Sequence, residues 1–257
     1  MKTLTFDAAI EDTRIKLTNA SKTIDANQWQ SIKIPSTVRF KEYTNVYFIV
    51  SLANTLDLNH WRSDIKPNIP WADVAFEERV SGTPWNPGTA WKSWPWAKSA
   101  EQFKPERFSH SYAERYWPKF AGVYSDDWLK DATSNAKAIA PKRGVRFPYG
   151  DLLNVVMLLD KDPLTRQAYL PVWFPEDTGV VHNERVPCSL GYHFLHRDGK
   201  MDITYYIRSC DFIRHFRDDL YMTLRLLLWM INRVNFDVKP GLFTFHCVSM
   251  HCFENDL

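Results

Sequence analysis

The sequence has no long apolar run. Its longest, residues 226–231, is far too short to cross a bilayer, so no membrane span is expected. It also has no excess of one charge: 32 Lys and Arg against 30 Asp and Glu leave a formal net charge of +2, which implies no general attraction to nucleic acid or membrane. Residues 1–12 carry charge and no apolar stretch, so they do not read as a secretory signal. Without such a signal, the four cysteines (Cys188, Cys210, Cys247 and Cys252) are expected to be free thiols in a reducing cytoplasm and not a disulfide framework. Internal repeats, low-complexity tracts and clear linkers are missing as well.

What is present is the composition of a globular protein, 45% apolar and 24% charged over 257 residues, enough for a substantial core. Residues 47–58, mostly apolar with Val, Ile and Phe, read either as a strand or as part of a buried helix. Residues 82–118 hold Trp85, Trp91, Trp94, Trp96 and Trp117 among Pro and polar residues, and read as a long irregular excursion pinned by aromatic side chains. A helix is expected over 151–159, ending near Asp162-Pro163. Strands are expected over 168–174 and 190–194, with 201–208 pairing to the latter across the turn Arg197-Asp198-Gly199. Leu224, Leu227, Leu228 and Ile231 set a helix over 220–234, with Asp218 and Asp219 as capping candidates, and 242–248 is a final strand. The simplest architecture is one α+β domain over residues 1–257.

Three short motifs carry the chemistry: Pro187-Cys188, Arg208-Ser209-Cys210-Asp211 and Asp218-Asp219. A cysteine attacks as its thiolate, a form that a nearby Arg185 or Arg208 is expected to favour. Arg208 and Ser209 at a strand end offer a forked guanidinium and a hydroxyl, a suitable pair for a phosphate. Each motif also has a plain reading: a small buried side chain for Cys188, a surface ion pair for Arg208, and helix caps for the two aspartates.

Together with Tyr149-Gly150, Asp162-Pro163-Leu164-Thr165-Arg166 and the hairpin from Gly191 to Tyr206, these motifs resemble, in order and spacing, the thymidylate synthase and pyrimidine hydroxymethylase family. The resemblance covers the chain from Tyr149 onward. It implies a thymidylate synthase-like α+β fold, a mixed sheet with flanking helices, and a homodimer formed through that sheet. It assigns Cys188 to attack on C6 of a pyrimidine deoxynucleotide monophosphate, with 5,10-methylenetetrahydrofolate as the one-carbon donor to C5. It assigns Arg208 and Ser209, with Asp211 beside them, to substrate binding, Arg166 to the phosphate in the neighbouring subunit's site, and His251 to the sugar. An upstream glutamate that organises protons and water is assigned to Glu78, with Glu77 as second choice.

Several positions depart from the family pattern. Gln167 stands where a second arginine is usual, and Phe253 lacks the hydroxyl of the usual tyrosine. Asp219 stands where thymidylate synthases carry an asparagine that pairs with uracil. A carboxylate accepts from the amino group of cytosine, donates to N3 when protonated, and repels O4 of uracil. The resemblance is therefore closest to deoxycytidylate 5-hydroxymethylases, which occur in bacteriophages and would place the protein in a host cytoplasm. The chain stops at Leu257, where thymidylate synthases continue with a segment that closes over the folate. Water reaching the exocyclic methylene intermediate would then favour hydroxymethylation over methylation, with the Trp-rich excursion as a replacement lid.

Other readings are weaker. His246, Cys247, His251 and Cys252 lack the spacing of a metal knuckle. The aromatic and basic residues from Trp85 to Lys119 suggest a single-stranded nucleic-acid-binding module, but their charge is mixed and packing explains them as well. A catalytically inactive structural homologue is a third reading, kept open by Gln167 and Phe253.

Overall fold

In each of the longer helices, an apolar stripe faces one side of a sheet. The computed structural model describes residues 3–25, 28–29, 32–35, 37–52, 57–97, 107–121, 149–178 and 185–257. Helix α1 (Phe6–Asn19) starts at Thr5, whose side chain accepts from Ala8 N at 3.2 Å, and buries Phe6, Ile10, Thr13 and Leu17. Helices α2 (Leu58–Ile65), α3 (Trp71–Val80) and α4 (Tyr112–Tyr116) follow along the chain. Helix α5 (Leu152–Lys161) opens with a reciprocal capping box between Asp151 and Asn154 and stops before Pro163, as its pattern predicts. Helix α6 (Phe216–Ile231) buries Phe216, Leu220, Leu224 and Leu227.

The main sheet has six strands: β1 (Lys22–Asp25), β4 (Arg39–Ser51), β8 (Lys239–Phe253), β7 (Lys200–Asp211), β6 (Ser189–Arg197) and β5 (Tyr169–Pro171), in that order across the sheet. Strands β2 (Gln28–Trp29) and β3 (Ile32–Lys33) form a separate hairpin. Within the main sheet every pairing is antiparallel except β7 with β8, which run parallel because α6 carries the chain back between them. The expected α+β class with a mixed sheet and flanking helices is what the chain adopts. Phe48, Tyr192, Phe194, Ile203, Tyr205, Phe243 and Phe245 all lie in the helix-covered core. The opposite face carries Tyr47 and Val248, which are exposed, beside the partly exposed Tyr206 and His246.

The hairpin at Arg197-Asp198-Gly199 forms as expected, with Arg197 paired to Lys200 and both turn residues at positive φ (50° and 68°), the backbone that Asp-Gly adopts with least strain. The open choice over residues 47–58 resolves as strand through Ser51, with α2 beginning at Leu58. β4 begins much earlier, at Arg39, because its polar first half pairs with the exposed β1. Residues 53–56 of that stretch, and 98–106 of the Trp-rich excursion, lie outside the described residues.

The two aspartates do not cap α6. The Asp211 carboxylate accepts from the backbone of Ile213 and Arg214 at 3.0 and 2.9 Å, turning the chain so that the helix begins at Phe216. Asp218 and Asp219 thus fall inside its first turn, where the helix dipole favours a carboxylate.

Candidate active site

The ends of β7 and β8, the start of α6, the inner face of α3 and the Trp-rich excursion enclose a cavity of ≈ 790 Å³. Cys188, one residue before β6, lies in its wall with Arg208, Ser209, Asp211, Asp219, His251 and Glu78. Seven of the eight candidate site residues are thereby brought together. Arg166, the eighth, is exposed and outside this cavity, and Gln167 lines a separate groove against α5. The excursion contributes Trp85, Trp91, Trp94 and Phe108 to the wall.

Strand pairing fixes one end of the cavity. Ser209 and Ser249 lie side by side on the parallel pair β7 and β8, and His251 comes two residues later on the same face. Ser209 Oγ is 3.5 Å from His251 Nδ1, and Ser249 Oγ donates to Glu42 at 2.5 Å. Burial lowers the His251 pKa, which favours the neutral imidazole. Arg208 donates through Nε to Pro187 O at 3.0 Å and through Nη2 to Val186 O at 3.2 Å, which ties it to the backbone just before Cys188. Its remaining N–H groups are available to an anion. Phe253 stacks on Phe40 with ring centroids 4.5 Å apart and does not line the cavity.

Around Cys188, burial pushes the thiol pKa up, Arg208 and Arg185 pull it down, and Asp219 and Asp211 push it up again; the net direction is upward. The expectation that the arginines populate the thiolate is corrected here, because desolvation outweighs them. Behind the cysteine, Ser189 Oγ lies 3.0 Å from the Tyr112 hydroxyl and 2.6 Å from that of Tyr205. That network fixes the floor of the site.

Glu78 spends one oxygen on structure. Its Oε1 accepts from Thr89 N at 2.5 Å, Ala90 N at 2.8 Å and Thr89 Oγ1 at 3.0 Å, pinning the turn that starts the Trp-rich excursion. Gly88, at φ +69°, lies so close to this carboxylate that a Cβ there would collide with it. Glu77 points away, exposed and ion-paired to Arg225.

The adjacent aspartates have different surroundings. Asp218 accepts from Asn68 N at 2.6 Å and Asn68 Nδ2 at 2.9 Å, holding the entry to α3; burial raises its pKa to about 6. Asp219 faces the cavity, where its contact is the Cys210 thiol at 3.8 Å. Burial raises its pKa to about 7, with Asp218 adding to the rise and Arg79 opposing it. The folded value is above the unfolded one, so the folded state holds the extra proton. Asp219 therefore lowers stability progressively as pH rises from about 4 to about 7. Asp219→Asn is expected to raise the melting temperature at pH 8 more than at pH 5. Thermal melts at the two pH values check this, and a gain equal at both would refute it.

Three residues of the site escaped the sequence reading. Tyr112 is in the floor just described. His215 stacks on Trp94 with centroids 5.2 Å apart, and burial lowers its pKa to about 4. Arg79 is 7% exposed and lies 4.1 Å over the Tyr112 ring. Its signal was present: Ala72, Ala75, Phe76 and Arg79 share one buried face of α3, and a charge on such a stripe needs an explanation.

The aromatic side of this cavity suits a flat heterocycle. Trp91 Nε1 is buried there without a hydrogen-bond partner, a donor facing a wall of rings. Among the described residues no helix is long and apolar enough to cross a membrane.

Comparisons with known proteins bear on family and fold. A family model described as thymidylate synthase matches residues 85–257. Putative thymidylate synthases of Methanosarcina acetivorans and Methanosarcina barkeri are 37% and 36% identical over 103 residues, 40% of this chain and 45% of each relative. The chain thus matches less than half the length of these relatives. The solved structure of thermostable thymidylate synthase A from Bacillus subtilis superposes with a TM-score of 0.59, covering 96% of this chain and 79% of that one at 11% identity, which shows a shared fold. The cysteine at the mouth of the hairpin, the arginine and serine on the parallel strands and the family match over the same residues lead to one assignment: the chain belongs to the thymidylate synthase family.

Proposed function

We propose that the protein transfers a one-carbon unit to C5 of dCMP and releases 5-hydroxymethyl-dCMP. The observation that carries this reading is the placement of Cys188, Arg208, Ser209 and Asp219 around one cavity large enough for a nucleotide and a second ligand. The phosphate is held by the free N–H groups of Arg208 and by the Ser209 hydroxyl, with His251 toward the sugar. Cys188 Sγ bonds to C6 of the base, and the pair from the C5–C6 double bond moves toward C5, which becomes the nucleophile. Asp219 accepts from the exocyclic amino group. In its ionised form the same carboxylate repels O4 of uracil. Glu78 keeps Oε2 for water, since Oε1 is committed to Thr89 and Ala90.

Methylenetetrahydrofolate, when bound, supplies the carbon at the oxidation level of formaldehyde. Trp91, with Trp85 and Trp94 beside it, would hold its ring and keep bulk water from that side. The exposed position of Arg166 and the uncovered sheet face around Tyr47 and Val248 support a homodimer in which Arg166 serves the neighbouring site; a monomer in sedimentation analysis would remove that part.

The test is release of tritium from C5-labelled dCMP and dUMP in the presence of methylenetetrahydrofolate, with the product mass recorded. Release from dCMP with a gain of one CH2O unit is expected. A gain of CH2 makes the protein a methyltransferase, release from dUMP alone overturns the cytosine reading, and no release from either overturns the enzymatic one.

A further inference from the structure

Arg79 has cation chemistry that the proposed reaction does not use. The residue lies in the wall of the cavity, 7% exposed, and among the described residues no carboxylate is within ion-pair distance of it. Its guanidinium lies over the face of the Tyr112 ring at 4.1 Å, while its backbone carbonyl accepts from Trp117 Nε1 at 2.9 Å and so fixes the helix turn that carries it. A guanidinium taken out of water with its N–H groups unmatched is costly, and it persists where a ligand supplies the acceptor. Across the cavity, Asp219 has the converse deficit: a carboxylate whose contact is a weak thiol donor at 3.8 Å. Unspent donors and an unspent acceptor face one space.

The edge of cytosine has complementary groups side by side, an amino donor at C4 and an acceptor at N3. An ionised Asp219 satisfies the first and repels the second. We propose that Arg79 is the second reader of the base, donating to N3 of cytosine while Asp219 accepts from the C4 amino group. This rests on the dCMP reading above and deepens it. With Arg79 in place, base recognition no longer needs a proton on Asp219.

The groups facing Asp219 determine how this is seen in a pH profile. From α3 comes Arg79, from α6 its neighbour Asp218, from β7 Cys210 and Tyr205, from α4 Tyr112, from β6 and its approach Tyr192 and Cys188, and from β8 Cys247. Burial pushes every one of these phenols and thiols up, so between pH 6 and 8 they stay neutral. Asp218, at about 6, becomes charged across that window and adds repulsion. Removing Arg79 removes the positive charge that opposes it, leaving the weak Cys210 thiol contact.

The experiment is calorimetric titration of dCMP into the whole protein at pH 6 and pH 8, without folate, for the wild type, Arg79→Met and Arg79→Lys. For Arg79→Met, Kd is expected to rise about 10- to 100-fold at pH 8, the range of a hydrogen bond to a charged group, and to recover much of the loss at pH 6, where a protonated Asp219 can donate to N3 itself. Arg79→Lys should keep part of the affinity at pH 8. A loss equal at both pH values, with an unchanged melting temperature, would mean that Arg79 only supports the cavity wall and would overturn the proposal. So would wild-type affinity in Arg79→Met. If the wild type binds dUMP and not dCMP, the cytosine reading fails first and the Arg79 proposal with it; if it binds dCMP and only the variant behaviour differs from expectation, the Arg79 proposal fails alone.

Discussion

Cys188→Ser is expected to lower release of tritium from C5-labelled dCMP by about a thousandfold or more and to leave the fold intact. A serine hydroxyl is far less acidic and less nucleophilic than a thiol, and among the described residues the groups that act on Cys188 through charge are two arginines and two aspartates. Removal of a reacting nucleophile costs orders of magnitude in turnover, whereas a sulfur-to-oxygen change at a partly exposed position changes stability by about 1 kcal/mol or less. Binding of dCMP should survive, because the phosphate end depends on Arg208, Ser209 and His251. Turnover within tenfold of wild type in Cys188→Ser would remove the covalent step, and loss of nucleotide binding would show that the thiol has a packing role instead. The raised thiol pKa has a further consequence. The free protein holds the nucleophile largely protonated at neutral pH, so turnover should increase with pH up to the point at which the substrate's own binding weakens.

The parts of this site legible in the sequence are those where chemistry and backbone position coincide. Cys188 precedes a strand that ends in an Asp-Gly hairpin, and Arg208 and Ser209 close the partner strand, so period-two pairing alone places them near one another. Helix α5 was equally clear because its cap and its terminating proline are both local. Asp218 and Asp219 show the limit of such reading. As neighbours on a helix they point about 100° apart, and only the packing of α3 against α6 sends one to Asn68 and the other to the cavity. Arg79 was hidden for a related reason. It lies before the region that carries the family resemblance, and Asp219, which shares the cavity with it, is far along the chain and reached through tertiary packing. The early start of β4 was hidden because the polar residues of an exposed strand edge do not alternate clearly with apolar ones.

The largest expected loss of stability comes from a pair outside the chemistry, Arg115 and Asp177. Arg115 on α4 donates from Nη1 to Oδ2 at 2.7 Å and from Nη2 to Oδ1 at 2.9 Å, and the two side chains are 2% and 0% exposed. Asp177 also accepts from Phe174 N at 2.9 Å, and the Arg115 guanidinium lies 4.8 Å over the Phe174 ring. The fork therefore joins the helix that carries Tyr112 to the segment that follows Trp173, over which Arg208 lies at 5.5 Å. Removing Arg115 takes from the buried Asp177 both prongs of this fork, so Arg115→Met is expected to cost about 3–5 kcal/mol in urea unfolding. The double variant Arg115→Met/Asp177→Leu should recover part of that loss, because no lone charge then remains in the core, although Phe174 N loses its acceptor. A loss under 1 kcal/mol in the single variant would mean that water reaches the pair and that the two walls of the site are held together by the apolar core alone. With the fork broken, Tyr112 and Arg208 lose their common anchor, so nucleotide affinity should fall along with stability even though neither side chain has been changed.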